Sequence, residues 1–385
     1  MSLSTETKKE SGMKVGNMEY RLRFVLMLLL AVGLIMTFDL AYNPQSVNFR
    51  SEYISNIIKY LSLTIIGITL AWALRYASSN MLSLVSHFLM PFALFLLIAT
   101  FIWGEEIHGA QRWLTIFGIS FQTSEFFKFS VALGLAYALT PFRNSQFRKT
   151  ISFLKILFWL ELLVGLFLVY KQPNHSAVMI IAFAIFVIAL LSRVKWYYVV
   201  SFGLIVIIAL GFLIMKDPEK SKRVWAFIKR PAETESVELS DERYQAREAL
   251  KAVASGGWLG RGIGRSIAKY SLPATSTDFV FAIIVEEFGF VGALFVMLCF
   301  FTLIHTALGA ASREPDEFLR LASLGLTLFM ALSIILHIAV NLDLTPTTGV
   351  PLPFISQGGS SLLFNLLAMG LIFKVARNHD NENSG

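Results

Sequence analysis

The chain has 385 residues, of which 55% are hydrophobic and only 15% charged. Soluble domains carry about 25% charged residues, and the mean hydropathy of +0.63 points the same way, so an ordinary soluble globular fold is excluded. Long continuous apolar stretches exclude a membrane β-barrel, whose strands alternate. The single cysteine, Cys299, excludes an internal disulfide. The net charge of +7 would suit a nucleic-acid partner in a soluble protein. In a membrane protein it reflects basic loops on one side of the bilayer, and no nucleic acid is expected here.

The first twenty residues are polar and carry Lys8, Lys9 and Lys14. The apolar run 24–40 that follows is read as a first span rather than a signal peptide, because no small-residue cleavage site follows it and many spans do. A crossing needs about 20 apolar residues. Ten candidates meet that length: 22–41, 55–75, 82–103, 122–140, 152–170, 176–192, 196–215, 289–311, 317–340 and 360–377. With both termini cytoplasmic, the short inside segments hold sixteen Lys and Arg, and the short outside ones hold four, Arg50, Lys59, Arg112 and Lys171. This asymmetry fits the positive-inside rule with an even number of spans. The predicted fold is an all-α polytopic membrane protein of about ten transmembrane helices. It comprises a cytoplasmic tail over 1–20, a single membrane domain over 21–377 and a second tail over 378–385. One large extracytoplasmic loop, 216–277, separates spans seven and eight. Within it a short helix is expected over 241–255, with Ser240 as its cap and Gly256 and Gly257 as terminators.

Unusual polar residues gather at the outer face. The first cluster runs Gly109-Ala-Gln-Arg112-Trp113 and then Gln122-Thr-Ser124-Glu125-Phe-Phe-Lys128. Glu125 and Lys128 share a helix face at the start of a span. Ionisable groups there are costly, and are either paired internally or used on a substrate. A short turn follows at Lys171-Gln172-Pro173-Asn174-His175, in which His175 reads as a surface residue.

The richest cluster holds Tyr244 and Gln245, then Gly256-Gly257-Trp258-Leu-Gly260-Arg261-Gly262-Ile-Gly264-Arg265-Ser266, Lys269 and Thr277-Asp278-Phe279. Its glycines lack the strand–turn–helix setting of a dinucleotide site. They suit close approach of backbone to an anion, with Arg261, Arg265 and Lys269 supplying positive charge; the alternative is a solvated basic loop. Asp278, at the lip of an apolar segment, is either a general base in a partly desolvated site or a helix cap. Glu286 and Glu287 read as structural anchors. The last cluster, Thr345-Pro346 through Pro351-Leu-Pro353-Phe-Ile-Ser356-Gln357-Gly358-Gly359-Ser360-Ser361, is too rich in Pro and Gly for a helix. It reads as a re-entrant loop with Ser360 capping the final span.

Taken together, these clusters over about residues 105–375 resemble the SEDS family, the shape, elongation, division and sporulation proteins. The resemblance implies a ten-span peptidoglycan glycosyltransferase in the bacterial cytoplasmic membrane. Such an enzyme polymerises lipid II, a disaccharide-peptide on undecaprenyl pyrophosphate, into β-1,4 glycan with inversion. The partners implied are a class B penicillin-binding protein and other divisome or elongasome membrane proteins. Asp278 is implied as the base. Arg112, Glu125, Lys128, Tyr244, Gln245, Arg261, Lys269, Ser356, Gly358, Gly359 and Ser360 are implied as substrate-binding residues, with Mg2+ or another divalent cation as a possible helper. The run 264–273 is more similar to the division-type member, and Val350-Pro351-Leu-Pro353-Phe354 to the elongation-type one; division is favoured. The chain departs from the family pattern at Asn174 (usually Asp), Gln357 (usually Tyr), Ala274 and Ser276 (usually Glu and His), and Thr348 (usually Lys in the division type). A lipid II flippase, for which Glu161 in span five speaks, and an inactive scaffold activating a partner synthase are the rival readings.

Overall fold

The computed structural model describes residues 18–42, 49–107, 110–116, 119–140, 148–172, 174–192, 241–272 and 274–382, with single positions between 197 and 211. In chain order the described elements are α1 (Met18–Ala41), α2 (Phe49–Tyr76), α3 (Ser79–Trp103), strands β1 (Glu105–Ile107), β2 (Ala110–Ile116) and β3 (Ile119–Gln122), α4 (Thr123–Leu139), α5 (Arg148–Lys171), α6 (His175–Leu191), α7 (Asp241–Gly256), α8 (Ala268–Ser271), α9 (Val280–Arg313), α10 (Glu317–Asn341) and α11 (Gly359–Glu382). Seven of these helices are long and apolar enough to cross a membrane, and α6 is a shorter apolar helix. The chain is a helical, multi-pass membrane protein. The predicted seventh span, 196–215, falls largely outside the described residues, as do residues 216–240 of the predicted loop.

Helix ends are set by local chemistry. Ser78 caps α3 by accepting from the Met81 N–H at 3.1 Å, and Asp316 caps α10 by accepting from the N–H groups of Phe318 and Leu319. The helix expected over 241–255 forms as α7 and stops at Gly256, followed by Gly257 at φ 55°. Its predicted cap, Ser240, lies outside the described residues.

Helix α4 is buried almost all round, as expected for a helix apolar on every face. It packs against α3, α5, α10 and α11 at the centre of the bundle. Helix α2 leans on α11 through small residues: Gly67 faces Leu366, and Gly370 lies on the backbone of Ala71. Close approach through small residues is how helices associate in lipid. The other face of α2 exposes Ile54, Ile58 and Ile65.

The start of α1 and the end of α11 meet at one end of the bundle. There the Met18 and Glu19 N–H groups donate to Asp380, Arg75 donates to Glu19 at 2.9 Å, and Arg313 meets His379 at 3.0 Å.

Two features differ from the sequence reading. The segment between α3 and α4 forms a three-stranded antiparallel meander, β1-β2-β3, with Trp113 opposite Gln122. Strands this short leave little periodic signal between two spans. The span predicted over 289–311 starts earlier, at Val280, and is broken at Gly289 (φ 68°, ψ −167°). A break in a spanning helix frees backbone groups that lipid cannot satisfy. Here the glycine-rich loop after α7 satisfies them. The N–H groups of Phe290 and Val291 donate to the carbonyls of Gly257 and Trp258, while those of Arg261 and Gly262 donate to the carbonyls of Glu286 and Glu287. Gly256, Gly260 and Gly289 are each in backbone contact with the opposing segment, with no room for a Cβ. Loop and helix break thus form one interlocked joint.

Candidate functional site

Asp278 sits at the end of the bundle opposite the start of α1 and the end of α11, where the segment after α8 turns into α9. The cap position of that helix is the next residue, Phe279, which makes no side-chain capping bond. The backbone around Asp278 is held from three directions. The N–H groups of Thr277 and Asp278 donate to the carbonyl of Ala274, which has φ 55°. The Asp278 carbonyl accepts from the Asn341 carboxamide at 3.0 Å. The Thr277 carbonyl accepts from the Ser356 hydroxyl at 2.7 Å, and the Ser276 carbonyl from the Gln357 N–H at 2.9 Å.

The carboxylate of Asp278 is half-buried and faces Gly349, whose missing Cβ would lie 3.8 Å from Oδ2. Gly349 has φ 65°, a conformation glycine reaches without strain. The neighbouring Thr348 carbonyl accepts from Ser176 at the start of α6. Of the predicted re-entrant segment, 345–361, residues 345–358 are irregular, with Leu352–Ser356 buried, and 359–361 belong to α11.

The Arg112 cluster lies across α6 from this loop. Arg112 Nε donates to the Gln172 carbonyl at 3.0 Å. Asn174 caps α6 by accepting from the Ala177 N–H, and its Nδ2 donates to the Ser124 hydroxyl at 2.9 Å. An Asp in the family's usual form would keep the cap and lose that donor. Glu125 and Lys128 are both buried and pair at 2.7 Å. The start of α6 therefore links the two halves: Gln172, Asn174, Ser124, Glu125 and Lys128 on one side, Ser176, Thr348, Gly349 and Asp278 on the other.

The glycine-loop cations have separate fates. Arg261 pairs with Glu286 at 3.4 Å and keeps 38% of its side chain exposed. Lys269 is turned inward with 3% side-chain exposure, donating to Asp39 at 2.9 Å and to the Gly264 carbonyl at 3.1 Å. Burial alone would lower the Lys269 ammonium, but the hydrogen bond and charge of Asp39 outweigh it and hold its pKa above the usual lysine range. Glu286 accepts from the Ser266 hydroxyl at 2.5 Å and from the N–H groups of Ile267 and Ala268. Glu287 accepts from the Ser266 N–H. These two carboxylates anchor the loop to α9.

The remaining expected residues divide between surface and scaffold. Tyr244 is exposed and Gln245 half-buried on α7. Ser356 is buried, bridging Thr277 and the Leu352 N–H. Gly358 and Gly359 pack against Pro351 and Leu63. Ser360 is not a cap but lies inside α11, where it accepts from the Gln122 N–H and ties β3 to that helix. Among the described residues no group of three His, Cys, Asp or Glu is placed to hold a metal ion. Two residues the sequence reading passed over matter here. An acid at Asp39 inside an apolar span is the kind of signal that marks a partner or function. Asn341, the last residue of α10, carried no such warning.

Comparison with known proteins agrees with this architecture. A Synechocystis sp. protein described as a probable peptidoglycan glycosyltransferase FtsW is 33% identical over 352 residues, 90% of this chain and 86% of its own length. A protein of the same description from Coxiella burnetii is 31% identical, covering 92% and 94%. Among solved structures, a chain of a peptidoglycan synthase complex in which polymerization and crosslinking are coordinated superposes with a TM-score of 0.74 at 23% identity, covering 94% of this chain and 98% of that one. The Thermus thermophilus rod shape determining protein RodA superposes with 0.65 at 23%, covering 93% and 96%. The model of the FtsW/RodA/SpoVE cell cycle proteins matches residues 20–381, and the chain belongs to that family.

Proposed function

We propose that this protein is a peptidoglycan glycosyltransferase that polymerises lipid II at the outer face of the bacterial inner membrane, for septal wall synthesis, with Asp278 as its general base. The observation that carries the base assignment is the mounting of Asp278. Its backbone is fixed by Ala274, Asn341 and Ser356, and its carboxylate lies beside Gly349. A base must reach the proton it takes in a fixed geometry. In the reaction the carboxylate takes the proton from the 4-hydroxyl of an acceptor GlcNAc. That oxygen bonds to the anomeric carbon of the donor MurNAc as the carbon–oxygen bond to pyrophosphate breaks, converting an α-linked donor into a β-1,4 product.

Arg112 and the half-exposed Arg261 suit the departing pyrophosphate, since guanidinium groups bind phosphate oxygens in pairs. Lys269, committed to Asp39, is assigned to scaffolding, and Lys128 would have to leave Glu125 to take part. Mg2+ typically binds through one or two carboxylates plus substrate phosphates; Asp278 is committed to the attacking side, no acidic cluster among the described residues is placed to hold the ion on the leaving side, and no step above requires it. A class B penicillin-binding protein is the expected crosslinking partner. Ten spans, cytoplasmic termini and an outward-facing Asp278 are the topology this reading needs.

The test is glycan formation from labelled lipid II by the purified chain with a class B penicillin-binding protein present, alongside Asp278→Asn. Loss of a general base costs about 10²–10⁴-fold. Polymer from the wild type and that loss in a folded variant are expected. Polymer from both would remove Asp278 from the chemistry. Leaflet exchange without polymer would favour a flippase, and neither activity a scaffold.

A further inference from the structure

We infer that Asn341 is the positioning residue that fixes Asp278, an inference that rests on Asp278 being the base. Helix α9 starts at Val280, and its cap residue, Phe279, makes no side-chain capping bond. Its first turn is held from another helix: Asn341 Oδ1, at the end of α10, accepts from the Ala282 N–H at 2.9 Å. The Nδ2 of the same carboxamide donates to the Asp278 carbonyl at 3.0 Å and to the His337 carbonyl at 2.8 Å. Every hydrogen-bonding atom of the side chain is engaged, at 0% exposure.

One planar group thus grips both sides of the junction where Asp278 meets α9. The oxygen pins where the helix begins, and the nitrogen pins the peptide that carries the carboxylate. Asn341 is itself held by its own helix through His337, whose Nδ1 bonds the Val350 carbonyl at 2.8 Å. Val350 adjoins Gly349, the residue that the Asp278 carboxylate faces. The base, the start of α9 and the loop opposite the base are therefore referenced to one turn of α10. Asn341 has no exposed atom with which to touch substrate, so it acts through Asp278. A shift of the reacting groups by about 1 Å is enough to cost about 10²-fold.

The experiment compares the wild type, Asn341→Ala, Asn341→Ser and Asp278→Asn as full chains with the class B penicillin-binding protein, varying lipid II. The shorter hydroxyl of Asn341→Ser would reach only the His337 carbonyl one turn back, so this variant keeps the bond within the helix and loses both bonds to the Asp278 junction. It serves if the alanine variant fails to fold. Folding is followed by elution in detergent and by unfolding temperature. The expected result is a fall in kcat of about 10–100-fold in folded Asn341 variants, with KM for lipid II within about threefold of wild type. A folded Asn341 variant with kcat within twofold of wild type overturns the inference. So does a loss carried by KM, or one that only tracks the folded fraction. If Asp278→Asn polymerises normally, the base reading itself falls. If Asp278→Asn is inactive while the Asn341 variants are normal, only the positioning role falls.

Discussion

Gly289→Ala should be among the most damaging single-methyl changes in the chain. Gly289 has φ 68° and ψ −167°, a region open essentially to glycine alone, so any other residue there costs about 1–3 kcal/mol. The added methyl also has no space, because it meets the backbone nitrogen of Gly260 and the carbonyl of Trp258. Backbone atoms cannot rotate aside as a side chain would. Displacing the loop opens at least the bonds from Phe290 to Gly257 and from Val291 to Trp258. Each lost hydrogen bond costs about 0.5–1.5 kcal/mol, so two bonds and the strain together are on the order of 2–6 kcal/mol. That is a large share of the stability of an ordinary domain, about 5–15 kcal/mol. Gly257→Ala is the internal control. Gly257 also has positive φ, at 55°, but nothing lies within 4 Å of its missing Cβ, so only left-handed strain of about 1–2 kcal/mol applies. Thermal unfolding of both variants in detergent, followed by tryptophan fluorescence, reads the difference. Equal unfolding temperatures for the two would refute the interlocked joint.

The buried pair of Lys269 and Asp39 gives a second prediction. Lys269→Met strands a buried carboxylate, at a cost of about 3–5 kcal/mol, and adding Asp39→Asn should recover most of it in unfolding measurements. Because the folded pKa of Lys269 is raised, its contribution is fully present below the ordinary lysine value of 10.5 and is lost as pH climbs through the higher folded value. Alkaline unfolding should therefore be steeper in the wild type than in Lys269→Met; identical profiles would count against the pair. Ser356→Ala removes the partners of the Thr277 carbonyl and the Leu352 N–H. It should lower stability by about 1–3 kcal/mol without weakening lipid II binding, and a rise in KM alone would return Ser356 to the substrate site.

Most of the membrane-crossing helices were legible because about 20 apolar residues in a row have few other uses. The short helix at Asp241–Gly256 was legible from its terminating glycines. The sheet was not, since strands of three, seven and four residues carry too little alternation. Nor was the true start of α9, because hydropathy places the span after the glycine while the backbone becomes helical at Val280. At the site, chemistry was readable but commitment was not. Lys269 looks like a phosphate ligand until Asp39, 230 positions away, takes its ammonium. Ser356 and Ser360 look like substrate hydroxyls until Thr277 and Gln122 claim them. Pairing across such separations leaves no trace in local sequence.

The stretch leading to Asp278 is gripped through main-chain oxygens: the carbonyls of Ala274, Ser276 and Thr277 do the holding. Every amino acid carries that atom. Replacing Ala274 or Ser276 therefore alters what a ligand meets near the carboxylate without removing the fastenings that locate it. Two kinds of drift are decoupled here. The lining can be rewritten as substrates or partners change, while the acid stays where it is. The absence of the usual Glu and His at those two positions is, on this view, a change of upholstery on an unchanged frame.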